Sequence, residues 1–260
     1  MLQKNAGIFY EDAMVFALND KRISELPNNL LCFVERLFGH LDKDEIIKCR
    51  KTVDYVKPDI QITYKGLTMN VSMKSGNSEA VHSESIDSLC AFLREEGISE
   101  KTIRTLRLYH FGDGTTDGSG KQRKDYFHVM SELGDDIQEA NFELNSDINF
   151  VIKAVERFFF VGVDVNAIQA HAIYHGTDDF GVVVLKKQLI RYVTQHLRQS
   201  LYNPHIGPMM IRPHARYVNK EVVSEKRRNT VEIYWPRLFQ DLRMISERMS
   251  FYTTPFPYHN

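Results

Sequence analysis

The chain has 260 residues, 43% hydrophobic and 26% charged, which excludes a disordered chain and leaves enough length to bury a core. Its 33 Lys and Arg against 34 Asp and Glu give a formal net charge of -1, so no global positive field draws it to nucleic acid or a membrane, and DNA binding would need a local patch. Three cysteines, Cys32, Cys49 and Cys90, lack C-x-x-C spacing, which argues against a disulfide framework or zinc knuckle and points to a reducing cytoplasm. No apolar run has the length of a signal peptide or a membrane span.

Taken in chain order, the first predicted element is a helix from Gly7 to about Leu18, with Ile8, Phe9, Ala13, Val15 and Phe16 apolar and Glu11 and Asp12 in the first turns. A second helix follows Pro27, with Asn28 or Asn29 as N-cap and Gly39 as its end. At Asp59 the period changes to two: Ile60, Ile62 and Tyr64 alternate with polar residues, Lys65-Gly66 turns the chain, and Met69, Val71 and Met73 alternate on the return. This predicts a hairpin, then a loop at 75–78 and a helix to Gly97 carrying Ile86, Leu89, Cys90 and Leu93. Residues 99–160 read as mostly helical and are split by a glycine-rich loop, Gly112 to Gly120. Strand patterns return at Ala170 to Tyr174, Gly181 to Leu185, Met209 to Ile211 and Thr230 to Trp235, with helices at 187–197 and 237–249. The sum is an α/β or α+β chain.

The chemistry concentrates in Lys57-Pro58-Asp59, the hairpin, and Ser72-Met73-Lys74-Ser75-Gly76. Asp59 opens the first strand and Lys74 closes the second, so an antiparallel turn returns the lysine to the aspartate. Phosphodiester hydrolysis needs such a pair: a carboxylate to hold a divalent cation and a lysine to orient or activate the attacking water.

These residues resemble the PD-(D/E)xK superfamily of restriction-like nucleases, whose signature is Pro-Asp, a hairpin, and an acidic residue two before a lysine. Pro58-Asp59 and Lys74 match, and Ser72 stands where the family usually has an acid. The chain is closer to a subgroup of restriction endonucleases with Ser-x-Lys and the missing glutamate moved onto the following helix. Here the candidates are Glu84, Glu79 and Asp87, with Glu84 first because Val81-His82-Ser83-Glu84 is expected to open that helix. The family often carries a glutamate on its first helix, a role that Glu11 fits and for which Glu35 is the fallback.

The resemblance covers about residues 5–95, and its implications are all expectations. They are a single nuclease-like domain over 1–260, and a restriction-endonuclease-like core with a mixed central sheet flanked by helices. A helical insertion would occupy 99–160, and a second group of strands and helices 166–250. The implied activity is a Mg²⁺-dependent DNA endonuclease, with Mn²⁺ as substitute, acting in restriction or antiviral defence. Asp59, Glu84 and Glu11 would hold the metal and Lys74 would position water. The implied partners are double-stranded DNA, a second copy in a homodimer, and a DNA methyltransferase encoded beside it. Two other readings stay open: a catalytically silent nuclease-fold module that binds DNA or protein, and a nuclease acting on RNA.

Candidate DNA contacts are Ser75 and Asn77 in the loop after Lys74, the cations Lys121, Arg123 and Lys124 beside the glycine loop, and Arg212 and Arg216 in the C-terminal third. Asp113, Asp117 and Gly118 fall at calcium-loop positions, but Lys124 stands where the bidentate glutamate belongs, so a flexible turn or substrate-facing loop is expected. His171 and His175 lie in a strand-like stretch without a third ligand and read as structural or surface residues. Trp235 reads as a strand-end core residue. Signatures of serine hydrolases, P-loop NTPases and dinucleotide enzymes are absent from the sequence.

Overall fold

The computed structural model describes residues 6–52, 57–74, 79–120, 123–164, 168–197, 202–214 and 225–249. They form a mixed α/β fold in two compact units. The first unit comprises the described residues within 1–78, 159–192 and 237–260, and the second those within 79–158 and 193–236. Each unit has a sheet of its own, because the strands read near the C-terminus divide between two ladders.

In the first unit, helices α1 (Ala6–Leu18) and α2 (Asn28–Phe38) precede β2 (Ile46–Lys51), β3 (Ile60–Tyr64) and β4 (Leu67–Lys74), and a short strand β1 (Lys21–Arg22) lies between the helices in sequence. Pro27 caps α2 in an extended conformation, in place of the expected asparagine. The Asn29 amide instead donates to the carbonyl of Asp178. The six-stranded sheet runs β1-β2-β3-β4-β6-β7, with β6 (Ala172–Gly176) and β7 (Gly181–Leu185) supplied late in the chain. All its pairs are antiparallel except β4 with β6. A parallel pair needs a long crossover, and this one contains residues 79–158 of the second unit.

One sheet face is apolar because strand side chains alternate: Ile47, Cys49, Ile60, Ile62, Val71, Met73, Ala172 and Tyr174 join Met14, Leu18, Phe33 and Val34 of α1 and α2 in a single core. Helix α7 (Lys186–Gln195) follows β7 directly in the chain. Helix α9 (Leu238–Met249) packs on β7, and its Phe239 ring lies 5.2 Å from that of His175. The β3–β4 hairpin turns through Lys65 (φ 47) and Gly66 (φ 80), the two positive dihedrals that a tight two-residue turn requires.

The second unit holds the antiparallel sheet β5-β10-β9-β8, built from β5 (Ala80–Ser85), β8 (His205–Ile206), β9 (Met209–Pro213) and β10 (Thr230–Tyr234), with the one-turn helix α8 (Glu225–Arg228) just before β10. Its longer helices include α3 (Ile86–Glu95), α4 (Glu100–Phe111), α5 (Tyr126–Leu144) and α6 (Ile148–Val155), which carry side-chain caps from Ser85, Ser99, Asp125 and Asp147. Residues 81–84, expected as the opening of a helix, are strand. They pair with β10, which is far away in sequence, and the α3 cap falls at Ser85. Trp235 is fully buried.

The glycine-rich loop is closed on itself. Asp113 Oδ1 accepts from the amide and hydroxyl of Thr115, and its Oδ2 from the Gly120 amide, which occupies the oxygens a calcium ion would need. Arg107 and Arg228 donate to the carbonyls of Thr116 and Gly118. It is a tied structural turn.

Two glycines make a contrasting pair for stability measurements. A Cβ on Gly181 would meet the Tyr174 ring at 2.3 Å, whereas one on Gly134 in α5 meets nothing within 4 Å. Gly181→Ala should therefore cost about 1–3 kcal/mol of unfolding free energy through overpacking. Gly134→Ala should gain about 0.4–1 kcal/mol by restricting the unfolded chain. Urea denaturation of both variants checks the two signs.

Candidate active site

The β3–β4 register sets Ile60 opposite Val71, so the residue before Ile60 meets the strand at Ser72 and Met73. Asp59 is held there by its backbone and its side chain. Its amide donates to the Val71 carbonyl (2.9 Å) and its carbonyl accepts from the Thr52 amide (3.1 Å). Its Oδ2 accepts from the Met73 amide (2.5 Å) and the Ser72 hydroxyl (3.2 Å), while its Oδ1 has no hydrogen bond among the described residues. Ser72 is buried, and its hydroxyl serves to orient the aspartate.

Lys74 lies two residues beyond Ser72 and shares its face of β4, opposite the core residues Val71 and Met73. Among the described residues its ammonium makes no hydrogen bond and no ion pair. Burial pushes its pKa below the ordinary lysine value, against the opposing pull of the Asp59 and Glu11 carboxylates. Asp59 and Lys74 stand at the same end of the hairpin, and Glu11 is tied through Lys51, which pairs with Ile60, to the neighbouring strand end. Glu11 reaches it from α1, and its Oε2 is paired with Lys51 Nζ at 2.9 Å.

Glu84 has other surroundings. It lies on β5 of the second unit and is almost completely buried. Its Oε1 accepts from Arg157 Nε (3.1 Å), with His82 Nε2 at 3.3 Å, and its Oε2 accepts from Arg157 Nη2 (2.6 Å) and the Ser88 hydroxyl (2.6 Å). Burial alone would raise its pKa, but the hydrogen bonds from His82, Arg157 and Ser88 outweigh it and hold the carboxyl down to about 2. The Arg157 guanidinium lies 4.8 Å from the centroid of the Phe92 ring. Three hydrogen bonds, two of them from one guanidinium, make Glu84 the partner of a buried arginine.

The other expected residues fall as follows. The Glu79 carboxylate accepts from the Tyr234 hydroxyl, and Asp87 pairs with Arg107. Glu35 is exposed on α2. Arg123 Nη2 donates to the Tyr109 carbonyl at 3.1 Å, Lys124 pairs with Glu132, and Arg212 pairs with Glu232 at 2.6 Å while stacking 3.5 Å over Tyr234. Each of these cations is thus engaged within the protein. Ser75, Asn77, Lys121 and Arg216 lie outside the described residues. Lys51 was missed from sequence because strand β2, which carries it, was not read.

Among the described residues no three His, Cys, Asp or Glu side chains cluster as a metal site. A cation at the sheet end would have the Asp59 and Glu11 carboxylates, the two that act on the Lys74 ammonium, as its candidate protein ligands. Such a set suits Mg²⁺, which binds through one or two carboxylates and keeps several waters. Comparison with protein-family models and with curated protein sequences gives no match.

The Glu84–Arg157 pair predicts a stability effect separate from any activity. Arg157→Met should cost about 3–5 kcal/mol in unfolding near neutrality, because it leaves a carboxylate buried without its partner. The pair's contribution is fully present above pH 4.5 and is lost as pH falls through about 2. The stability difference between the wild type and Glu84→Gln should shrink across that window, as followed by urea denaturation.

Proposed function

We propose that the chain is a divalent-metal-dependent endonuclease that hydrolyses phosphodiester bonds in double-stranded DNA, acting in restriction or a related defence against foreign DNA. One observation carries the reading: a lysine without a partner among the described residues stands under the influence of two carboxylates at the end of a hairpin. An ion-pair role would have closed this lysine onto one acid. Here it is left able to donate to a water or a phosphate oxygen.

In this reading Asp59 and Glu11 hold the cation, Mg²⁺ or Mn²⁺. Glu11 supplies the second carboxylate that Ser72 does not, and Glu84 keeps its structural partner. The cation, when bound, polarises the phosphate and makes water more acidic. Ser72 and the Met73 amide fix the aspartate by occupying Oδ2, which leaves Oδ1 to face the substrate. Lys74 donates to the attacking water or to the phosphate, and its burial lowers the cost of giving up a proton. Attack by water on phosphorus forms one P–O bond as the bond to the leaving sugar oxygen breaks; the attacking water gives up one proton and the leaving oxygen takes one up, so none is gained or lost overall. A cut through both strands is most simply made by a homodimer.

The test incubates the wild type, Asp59→Asn and Lys74→Met with supercoiled and linear DNA, methylated and unmethylated, and with RNA, in Mg²⁺, Mn²⁺ or EDTA. The amide oxygen that replaces the carboxylate in Asp59→Asn can still accept from Ser72 and Met73, so folding should survive. Cleavage should be metal-dependent, confined to DNA, and reduced about 10²–10⁴-fold or more in either variant. Undiminished cutting by Asp59→Asn would overturn the site, and DNA binding in EDTA without cutting in any metal would favour a silent DNA-binding module.

A further inference from the structure

We propose that Lys51 is a positioning residue for Glu11, holding that carboxylate toward the sheet end that carries Asp59 and Lys74. The inference rests on the nuclease reading and deepens it. Lys51 is the last residue of β2 and pairs with Ile60, the neighbour of Asp59. The next residue, Thr52, is bound twice to the same turn: its amide donates to the Asp59 carbonyl and its hydroxyl to the Pro58 carbonyl. The backbone carrying Lys51 is therefore fixed relative to Asp59.

From this point the lysine reaches α1. Its Nζ lies 2.9 Å from Glu11 Oε2 and 3.1 Å from Asp12 Oδ1, so one ammonium spans two consecutive acids. The apolar anchors of α1, Met14 and Leu18, place the helix axis on the sheet but leave a glutamate three rotatable bonds to wander. The ion pair removes that freedom at Glu11, the less exposed of the two acids (21% against 47%). It also offsets negative charge gathered by Glu11, Asp12 and Asp59. Asp12, at the more exposed position, is the second acid on the ammonium.

The test uses full-length protein without DNA and reads Mn²⁺ affinity from the electron paramagnetic resonance signal of the free ion. The variants are Lys51→Met, Lys51→Arg, Glu11→Gln, the double variant Lys51→Met with Glu11→Gln, and Asp59→Asn. Losing a residue that orients a metal ligand typically costs about 10–100-fold in affinity, and Lys51→Met should fall at the lower end. Lys51→Arg, which can also span two carboxylates, should restore most of the loss. In the Glu11→Gln background, Lys51→Met should have no further effect. If Lys51→Met fails to fold by circular dichroism, Lys51→Gln takes its place in the cycle.

Unchanged or tighter binding by Lys51→Met, or a loss that persists without Glu11, overturns the positioning role. If Asp59→Asn abolishes binding in that case, the metal site itself still stands. Binding that ignores Asp59→Asn, or no binding by the wild type, overturns the nuclease reading and the Lys51 role together.

Discussion

The register of β3 against β4 is the constraint on which the site depends. A slip of one residue would turn Val71 and Met73 out of the apolar core and point Ser72 and Lys74 into it in their place. The core side chains of both strands oppose that slip, and so does a two-residue turn whose geometry fixes the pairing. Apolar burial on one face of the sheet thereby decides which polar groups meet on the other. The chemistry of the sheet end follows from packing that takes no part in it.

Asp59 and Glu84 show how surroundings divide similar groups between different tasks. Glu84 accepts three hydrogen bonds shared between both its oxygens, and its charge is spent on Arg157. Asp59 has two donors, both on one oxygen, so it is oriented without being satisfied. A buried carboxylate with both oxygens engaged by its own arginine and serine is a structural part. One with an oxygen left over is available to a ligand. Lys74 follows the same logic among the cations, since Arg123, Lys124 and Arg212 each have a partner and it has none among the described residues.

Much of the first unit was legible because its signals are local. The hairpin announced itself through period two and Lys65-Gly66, and α1 and α2 through helical spacing. Asp59 and Lys74 could be read as a pair because a tight turn makes sequence neighbours into spatial ones. Glu84 was misread because its strand is defined by pairing with Thr230–Tyr234, distant in sequence, and its local pattern before Ile86 resembles a helix start. Strand β2 was missed because Lys48, Arg50 and Lys51 mask an alternation carried by Ile47 and Cys49 alone. The roles of Arg157 and Lys51 depend on which acid each one meets, a tertiary fact that spacing does not encode.

The parallel pairing of β4 with β6 also governs the order in which the molecule can be made. Asn70 and His171 are bonded across this seam although they are 101 residues apart. As the chain is synthesised, the hairpin can form early, but one edge of β4 must wait for about a hundred further residues before its partner exists. Loop closure over such a span is slow, and an open strand edge invites pairing with other chains. The residues of the second unit that fill this interval are therefore also a delay line. The time taken to add them is time in which the strand that carries Lys74 keeps an open edge.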